Sequence, residues 1–404
     1  MARRSAGAAL DKAVREHRVT LIHGLPRVGR SRVVSRWSEE RDDVELLHTR
    51  PRQPGTAPVR VLDHLEHAEV VAFVALFRGV ESSGQDVRFI VVPVDLLTIR
   101  RLQEALVGSV NLLAIEPLQP DDDIAEQVTS FEAAGPTGEA EAMPEPTNAS
   151  PRDPDRLWLR GGLPESLNAD TDQASLAWRR QMIDCLLVRD YSSWDITPAT
   201  KLGDILRWVA NLNCAELNET GCPIAKRGEL LSVLHVFDRL GLTRRLPNFP
   251  AGTSAGLGKK PKLFIRDSGI LHAMLGIETT AHLRSHDAIG ESWESYAIEA
   301  LITAADGRCT PQFYREKLPG EEGADEIDLV LDFRPLNGRL VAIECKTSPS
   351  KEAKIGFDRG MKTIGATDGF VVHSGPTAQL NGPVDRLDLA SAIHRVVRLA
   401  EAGT

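Results

Sequence analysis

The chain has 404 residues, 42% hydrophobic and 26% charged, an ordinary globular composition with length enough for two or three domains. Its 48 Lys and Arg against 57 Asp and Glu leave a net charge of −9, which excludes a surface basic all over and confines any nucleic-acid contact to a local site. Cys185, Cys214, Cys222, Cys309 and Cys345 stand singly, with no C-x-x-C pair, so neither a zinc site nor a disulfide framework is expected and reduced cytosolic thiols are. The basic start lacks an uninterrupted apolar region, and no run of about 18 apolar residues occurs, so the expectation is a cytoplasmic protein without a membrane span.

Taken in chain order, "VTLIHG" from Val19 reads as a short strand, and "RSRVVSRWSEE" as a helix with Val33, Val34 and Trp37 at helical spacing. Between them "HGLPRVGRS" comes within one residue of the phosphate-binding loop G-x-x-x-x-G-K-[ST]. Gly24, Gly29 and Ser31 hold their places, and Arg30 stands where the lysine belongs. In a working loop the backbone N–H groups cradle the phosphates, the lysine reaches the β- and γ-phosphates and Ser/Thr holds Mg²⁺. Arg30 keeps the charge but is longer, planar and forked, so it does not simply replace a point charge.

Strands at "DVELLHT", "VRVLDHL" and "VRFIVVPVD" follow, an alternation expected of a parallel α/β sheet filling residues 1–132. Asp63 ends one of these strands as the Mg²⁺ partner, but His64 stands where an ATPase usually places its catalytic glutamate, with Glu66 two residues further. Gly24, Gly29, Arg30, Ser31 and Asp63 are therefore the expected nucleotide-binding set, for weak ATP or ADP binding with little hydrolysis. The competing reading is a glycine turn that holds no ligand. His64 and His67 read as solvated or capping residues.

Residues 133–155 are rich in Pro, Ala, Gly and Glu without a period and read as a flexible linker. From 156 to 250 the pattern is helical, with Leu176, Ile183 and Leu187 on one stripe of the segment Gln173 to Arg189. It closes with Gly241 as a helix stop and "LTRRL" as a strand, an order resembling a winged helix. A connector, 251–284, contains the basic loop "LGKKPK", for which solvated charge is a plainer reading than a contact to DNA phosphate.

Residues 285–404 read as helix ("ESWESYAIEALITAA"), strand ("EIDLVLDF"), strand ("RLVAIECKT"), helix, strand ("GFVVHS") and terminal helix. The strand period of two puts Leu340, Ala342, Glu344 and Lys346 on one face, with Val341, Ile343 and Cys345 on the other. A carboxylate and an ammonium thus project side by side from an apolar strand. Asp328 interrupts the preceding strand sixteen positions earlier, and Glu294 lies on the helix before it. Acid, acid, then E-x-K is the constellation of PD-(D/E)xK nucleases. In that reading Glu294, Asp328, Glu344 and Lys346 are catalytic, Asp328 and Glu344 bind Mg²⁺ or Mn²⁺, and Lys346 orients or helps deprotonate the attacking water. The plain alternative is an apolar strand closed by an incidental Glu-Lys pair.

Together the motifs resemble a family of prokaryotic ATP-binding proteins that join an AAA-type ATPase domain to a C-terminal domain of unknown function with a restriction-endonuclease-like core. "GLPRVGRS" is similar to that family's GPRQVGKT, "VLDHLEH" to LDEIQ, "RGGLPE" to GGFPE and "KLFIRDSGI" to KLYFxDTGL. "SWESY" is similar to FEN, "EIDLVL" to EVDFV and "IECKT" to EVKS. The departures are Arg30 for the lysine, His64 for the Walker B glutamate, and "IVVPVD", which lacks the usual polar residue at its strand end. The resemblance implies an α/β protein with an AAA-type P-loop sheet, a central helical and winged-helix region, and a nuclease-like C-terminal domain acting on nucleic acid, DNA above all, in DNA processing or defence. The alternative is a non-catalytic nucleotide- or DNA-binding regulator or scaffold. Oligomeric state is left open.

Overall fold

A computed structural model describes residues 6–47, 57–117, 153–189, 200–250, 260–317, 324–351, 353, 355–375 and 384–402. The N-terminal module begins with α1 (Ala6–Glu16), β1 (Val19–His23), α2 (Arg30–Glu39), β2 (Val44–Leu47) and β3 (Val59–Leu65). It continues through α3 (Val70–Ser82), β4 (Arg88–Pro93), α4 (Leu96–Ala105) and β5 (Val110–Ala114). The five strands pair in parallel in the order β2-β3-β4-β1-β5. Parallel strands covered on both faces must be apolar on both, and the runs in β1, β3 and β4 meet that demand. Ile22, Val59, Val61 and Ile90 pack with Val34 and Trp37 of α2, whereas Leu21, Leu62, Phe89 and Val91 pack with Phe73 and Phe77 of α3 and Leu102 of α4. Because β1 lies between β4 and β5, the loop after His23 opens at the carboxyl end of an inner strand, where α/β sheets place ligands.

The middle of the chain is helical: α5 (Pro154–Arg160), α6 (Pro164–Asn168), α7 (Asp172–Arg189), α8 (Thr200–Asn211) and α9 (Arg227–Leu240). The Asp153 side chain caps α5 by accepting from the Asp155 N–H. Gly241 ends α9 at φ +77°, the left-handed turn that glycine adopts without a Cβ penalty. β6 (Thr243–Leu246) then pairs antiparallel with β7 (Lys262–Ile265). A domain boundary at 250/251 therefore falls inside a hairpin, because the partner strand lies beyond residues 251–259. The expected linker 133–155 lies outside the described residues except for 153–155, which open α5.

After α10 (Ser268–Leu275), α11 (Thr280–Ser285) and α12 (Ile289–Ala304) come β8 (Thr310–Glu316), β9 (Asp325–Phe333), α13 (Arg334–Asn337) and β10 (Arg339–Lys346). The chain ends with α14 (Ile355–Ile364), β11 (Asp368–His373), β12 (Asp385–Asp388) and α15 (Leu389–Glu401). The sheet order is β12-β11-β10-β9-β8, with β8, β9 and β10 antiparallel and β10, β11 and β12 parallel. Val341, Ile343 and Cys345 face α12 and α15, while Leu340 and Ala342 pack with Phe357 of α14, so the predicted two faces of β10 are those observed.

Two cores cross the sequence order. Leu157, Trp158 and Leu159 of α5 belong to the C-terminal core, whereas Leu176, Ile183 and Leu187 of α7 join α8 and α9 in the core beneath the N-terminal sheet. The sequence class, a mixed α/β protein with an N-terminal parallel sheet and a separate C-terminal sheet, is the class observed.

Candidate functional site

Two centres take shape, one at the loop after β1 and one where β9 and β10 part. At the first, Gly24 has φ +144°, and a Cβ there would lie 2.3 Å from the Ile115 carbonyl oxygen, so the close backbone approach needs glycine. Gly29, at φ +91°, turns the chain into α2. The first turn of α2 carries Arg30 and Ser31, and the Ser31 hydroxyl donates to Asp63 Oδ1 at 2.8 Å across from β3. A hydroxyl and a carboxylate held together in this way are oxygen donors suited to Mg²⁺. They border a cavity of about 270 Å³ that Val34, Leu46, Leu47 and Val61 also line.

The departures from a working loop have structural consequences. Arg30 Nη1 donates to the Pro93 carbonyl at the end of β4, at 3.1 Å. His64 sits at φ +57°, and the β3–β4 register shifts between Leu62 and Leu65 around it. Its backbone N–H donates to Asp63 at 3.0 Å, and its imidazole, 69% exposed, lies 3.2 Å from the same carboxylate. Glu66 cannot stand in as the water-positioning acid in this geometry, because its side chain accepts from the Glu69 N–H in a capping box.

Glu165, the acid of "RGGLPE", carries no sign of a role in its local sequence. Glu165, on α6, lies 3.7 Å from Nη1 of Arg27, which itself sits in the loop at φ +66°. Burial raises the Glu165 pKa, while Arg27 and Arg32 work against the rise. The helical region thus touches the loop through an acid.

At the second centre, Lys262 at the start of β7 reaches into the acids. Its ammonium lies 3.0 Å from Glu294 Oε1 on α12, 3.0 Å from Glu326 Oε1 and 3.9 Å from Asp328 Oδ1, both on β9. The Lys262 side chain is only 4% exposed. Burial works to lower its pKa, but Glu294, Asp328 and Glu326 outweigh burial and hold it charged well above the ordinary lysine range. Burial first, and Asp328 next, push Glu294 up to about 8 against the pull of Lys262.

Asp328 Oδ2 accepts the Cys345 N–H at 2.8 Å, so a side chain takes the bond just past the last paired residues of the β9–β10 ladder, Ile343 and Leu329. Glu344 pairs with Lys346 along β10. Burial lowers the Lys346 pKa less than Glu344 and Asp328 raise it. The structure thus brings Glu294 and Asp328 together around Lys262 and joins Glu344 to Lys346, an ammonium that Asp328 also acts on.

Among the described residues no three His, Cys, Asp or Glu side chains form a metal-holding group. With a buried ammonium between Glu294 and Glu326, and one Asp328 oxygen spent on the Cys345 amide, these carboxylates do not fit a divalent ion as they stand. Lys262 and Glu326 are the residues sequence reasoning missed. The one available signal was a lysine opening the apolar run "KLFI", which reads equally well as the end of a basic loop.

A family model described as a domain of unknown function, DUF8612, matches residues 151–281, the helical region with the hairpin and α10. Uncharacterised proteins of Mycobacterium bovis and Mycobacterium tuberculosis are 32% identical over 202 residues, which is 48% of this chain and 42% of each relative. The chain thus spans well under half the length of the curated relatives it matches. Among solved structures, a Walker-type ATPase of Pyrococcus abyssi aligns with 68% of this chain and 96% of its own at 11% identity and a TM-score of 0.43. The Orc1 protein of Aeropyrum pernix, solved in complex with DNA, aligns with 70% and 94% at 13% identity and a TM-score of 0.26.

Proposed function

We propose that this chain is an AAA-type nucleotide-binding protein that holds ATP or ADP weakly and hydrolyses it little. The observation that carries the reading is the 2.8 Å hydrogen bond between Ser31 and Asp63 at the mouth of the loop, beside a glycine that the Ile115 backbone leaves no room to replace. Ser31 and Asp63 would hold the Mg²⁺ that accompanies a bound nucleotide. That ion supplies charge neutralisation of the phosphates. The N–H groups of the loop and of the first turn of α2 face the phosphates with positive partial charge, and the cavity beside Ser31 leaves room at the loop's flank. Slow turnover follows from two residues. Arg30 is tied to Pro93, and His64 leaves no glutamate to orient water. Calorimetric titration with ATP and ADP, with and without Mg²⁺, tests the reading. Binding that Asp63→Ala weakens only when Mg²⁺ is present supports it, and no heat at millimolar nucleotide removes it.

A second reading concerns nucleic acid. The helices α8 and α9 followed by the β6–β7 hairpin support a winged-helix assignment, and the Asp328, Glu344 and Lys346 positions support a nuclease-like ancestry for the last sheet. On this reading the chain binds DNA at a local site, either as a Mg²⁺- or Mn²⁺-dependent nuclease or as a non-catalytic scaffold or regulator. The occupied acidic centre favours the scaffold. Incubation of wild type, Asp328→Ala and Lys346→Ala with DNA and Mn²⁺ separates the two: cleavage by the wild type alone establishes a nuclease, and none by any supports the scaffold.

A further inference from the structure

We infer that Lys262 is the resident cation of the C-terminal acidic centre: its ammonium holds the place among Glu294, Glu326 and Asp328 that a divalent ion would take, and so closes the centre to metal. The inference goes beyond the reading of the nucleotide loop and stands or falls separately from it.

Three features support it. The first is distance. An N–H donor such as an ammonium meets oxygens at about 2.7–3.2 Å, whereas Mg²⁺ draws oxygens to about 2.0–2.1 Å and Ca²⁺ to about 2.3–2.6 Å. Glu294 and Glu326 each stand 3.0 Å from Lys262 Nζ, the spacing set by nitrogen. The second is anchorage. Lys262 is paired with Leu246 across the hairpin, its neighbour Pro261 accepts from the Leu217 N–H at 2.8 Å, and its ammonium lies 5.4 Å from the Phe313 ring centroid. The backbone of Lys262 is therefore held from two sides, and its side chain is packed as well as paired. The third is competition. Asp328 gives one oxygen to the Cys345 N–H and turns the other toward Lys262, so a metal would have to displace both the ammonium and a backbone contact to gain that carboxylate in full.

Removing the ammonium while keeping the side-chain volume should uncover the vacancy it fills. Lys262→Met is nearly the same length, carries no charge and leaves three acids facing one another, which must take up either protons or a cation, and Mn²⁺ in excess supplies the cation. The test uses the full chain, free of nucleotide, titrated with Mn²⁺ and followed by electron paramagnetic resonance of the free ion, with Ser31→Ala and Asp63→Ala in every variant so that the loop contributes no metal site.

The expected result is no Mn²⁺ site dependent on Asp328 in the chain that keeps Lys262. Lys262→Met should gain one site, at least about tenfold tighter than any residual Mn²⁺ binding by the chain that keeps Lys262, and Asp328→Asn should then abolish it. Circular dichroism confirms folding of each variant. Should Lys262→Met fail to fold, Lys262→Gln carries the same test. Two outcomes overturn the inference: a Mn²⁺ site in the lysine-bearing chain that Asp328→Asn removes, or a folded Lys262 variant that gains no site.

Discussion

Arg30 Nη1 donates to the Pro93 carbonyl at 3.1 Å, which ties the first turn of α2 to the end of β4. The residue occupying the lysine position of the loop is thereby committed to the sheet. Arg30→Lys frees that carbonyl and supplies a compact ammonium, so ATP affinity should rise by about tenfold, near 1.4 kcal/mol, with a smaller gain for ADP. Turnover should barely change, because His64 remains. Calorimetry with both nucleotides and a phosphate-release assay check the pair, and equal gains for ATP and ADP would contradict the placement of the ammonium near the γ-phosphate.

Gly24→Ala should cost about 1–3 kcal/mol of stability and eliminate nucleotide binding. The added Cβ would meet the Ile115 carbonyl oxygen, and the backbone already sits at φ +144°. Urea denaturation and nucleotide titration of the same preparation measure both effects. Gly29→Ala provides the comparison: its Cβ meets nothing within 4 Å, so only the φ of +91° penalises it and the loss should be smaller.

Arg266 joins Glu116 of the N-terminal module, at 2.8 Å, to Glu299 on α12, at 2.9 Å, and Glu299 also pairs with Arg244. Burial acts to lower the Arg266 pKa, but Glu299 and Glu116 raise it beyond its usual range, and Glu299 is driven below its own despite burial. Arg266→Met should cost about 1.5–3 kcal/mol, since it takes from Glu299 one of its two guanidinium partners, Arg244 remaining, and breaks the pair with Glu116. Glu299→Gln in the same chain should then cost less than it does in the wild type. A double-mutant cycle in urea measures the coupling, and strict additivity would show that the bridge contributes nothing.

His272 is enclosed between α5 and α12, with Nδ1–H donating to the Leu159 carbonyl at 2.9 Å and Nε2 lying 2.7 Å from the Ser292 hydroxyl, which also accepts from Trp158. Burial, the leading cause, holds its pKa down at about 3. The unfolded chain therefore takes up a proton near pH 6.5 that the folded chain refuses. The stability this group contributes is complete above pH 6.5 and declines as pH falls toward 3. Between pH 6.5 and 5 the loss should approach about 2 kcal/mol. His272→Asn should flatten that part of the profile in urea melts, and an unchanged slope would rule the group out.

Legibility in the sequence followed exposure and locality. The inner strands β1, β3 and β4 announce themselves because burial on both faces makes them largely apolar, with Thr20 and Arg60 the buried polar exceptions, whereas the edge strand β5, "VNLLA", is half exposed and carries no such signature. The alternation that places Glu344 and Lys346 on one face of β10 is a local property and is read correctly. Along β9 the same rule fails: Ile327 and Val330 both pack with Phe357, though strict alternation puts them on opposite faces, and Asp328 lies at that irregularity. Lys262 was invisible for a different reason. Its partners come from α12 and β9, 32 to 66 residues away in sequence, and nothing local distinguishes a buried ammonium from the tail of a solvated basic loop.

The crossing of the two cores bears on how a gene for such a protein can change. Residues 157–159 complete the packing of the C-terminal sheet before the chain returns, through α7, to complete the N-terminal one. The segment from α5 to α10 therefore works as a seam sewn into both cloths, and the family model that matches residues 151–281 covers that seam. A recombination event that joined residues 1–150 of one such gene to another's remainder would leave the C-terminal core intact, since its residues all lie beyond 150, and would mismatch the N-terminal one unless the seam were compatible. The N-terminal sheet can therefore be exchanged only together with a seam that fits it, whereas the C-terminal sheet carries its share of the seam within its own stretch of chain.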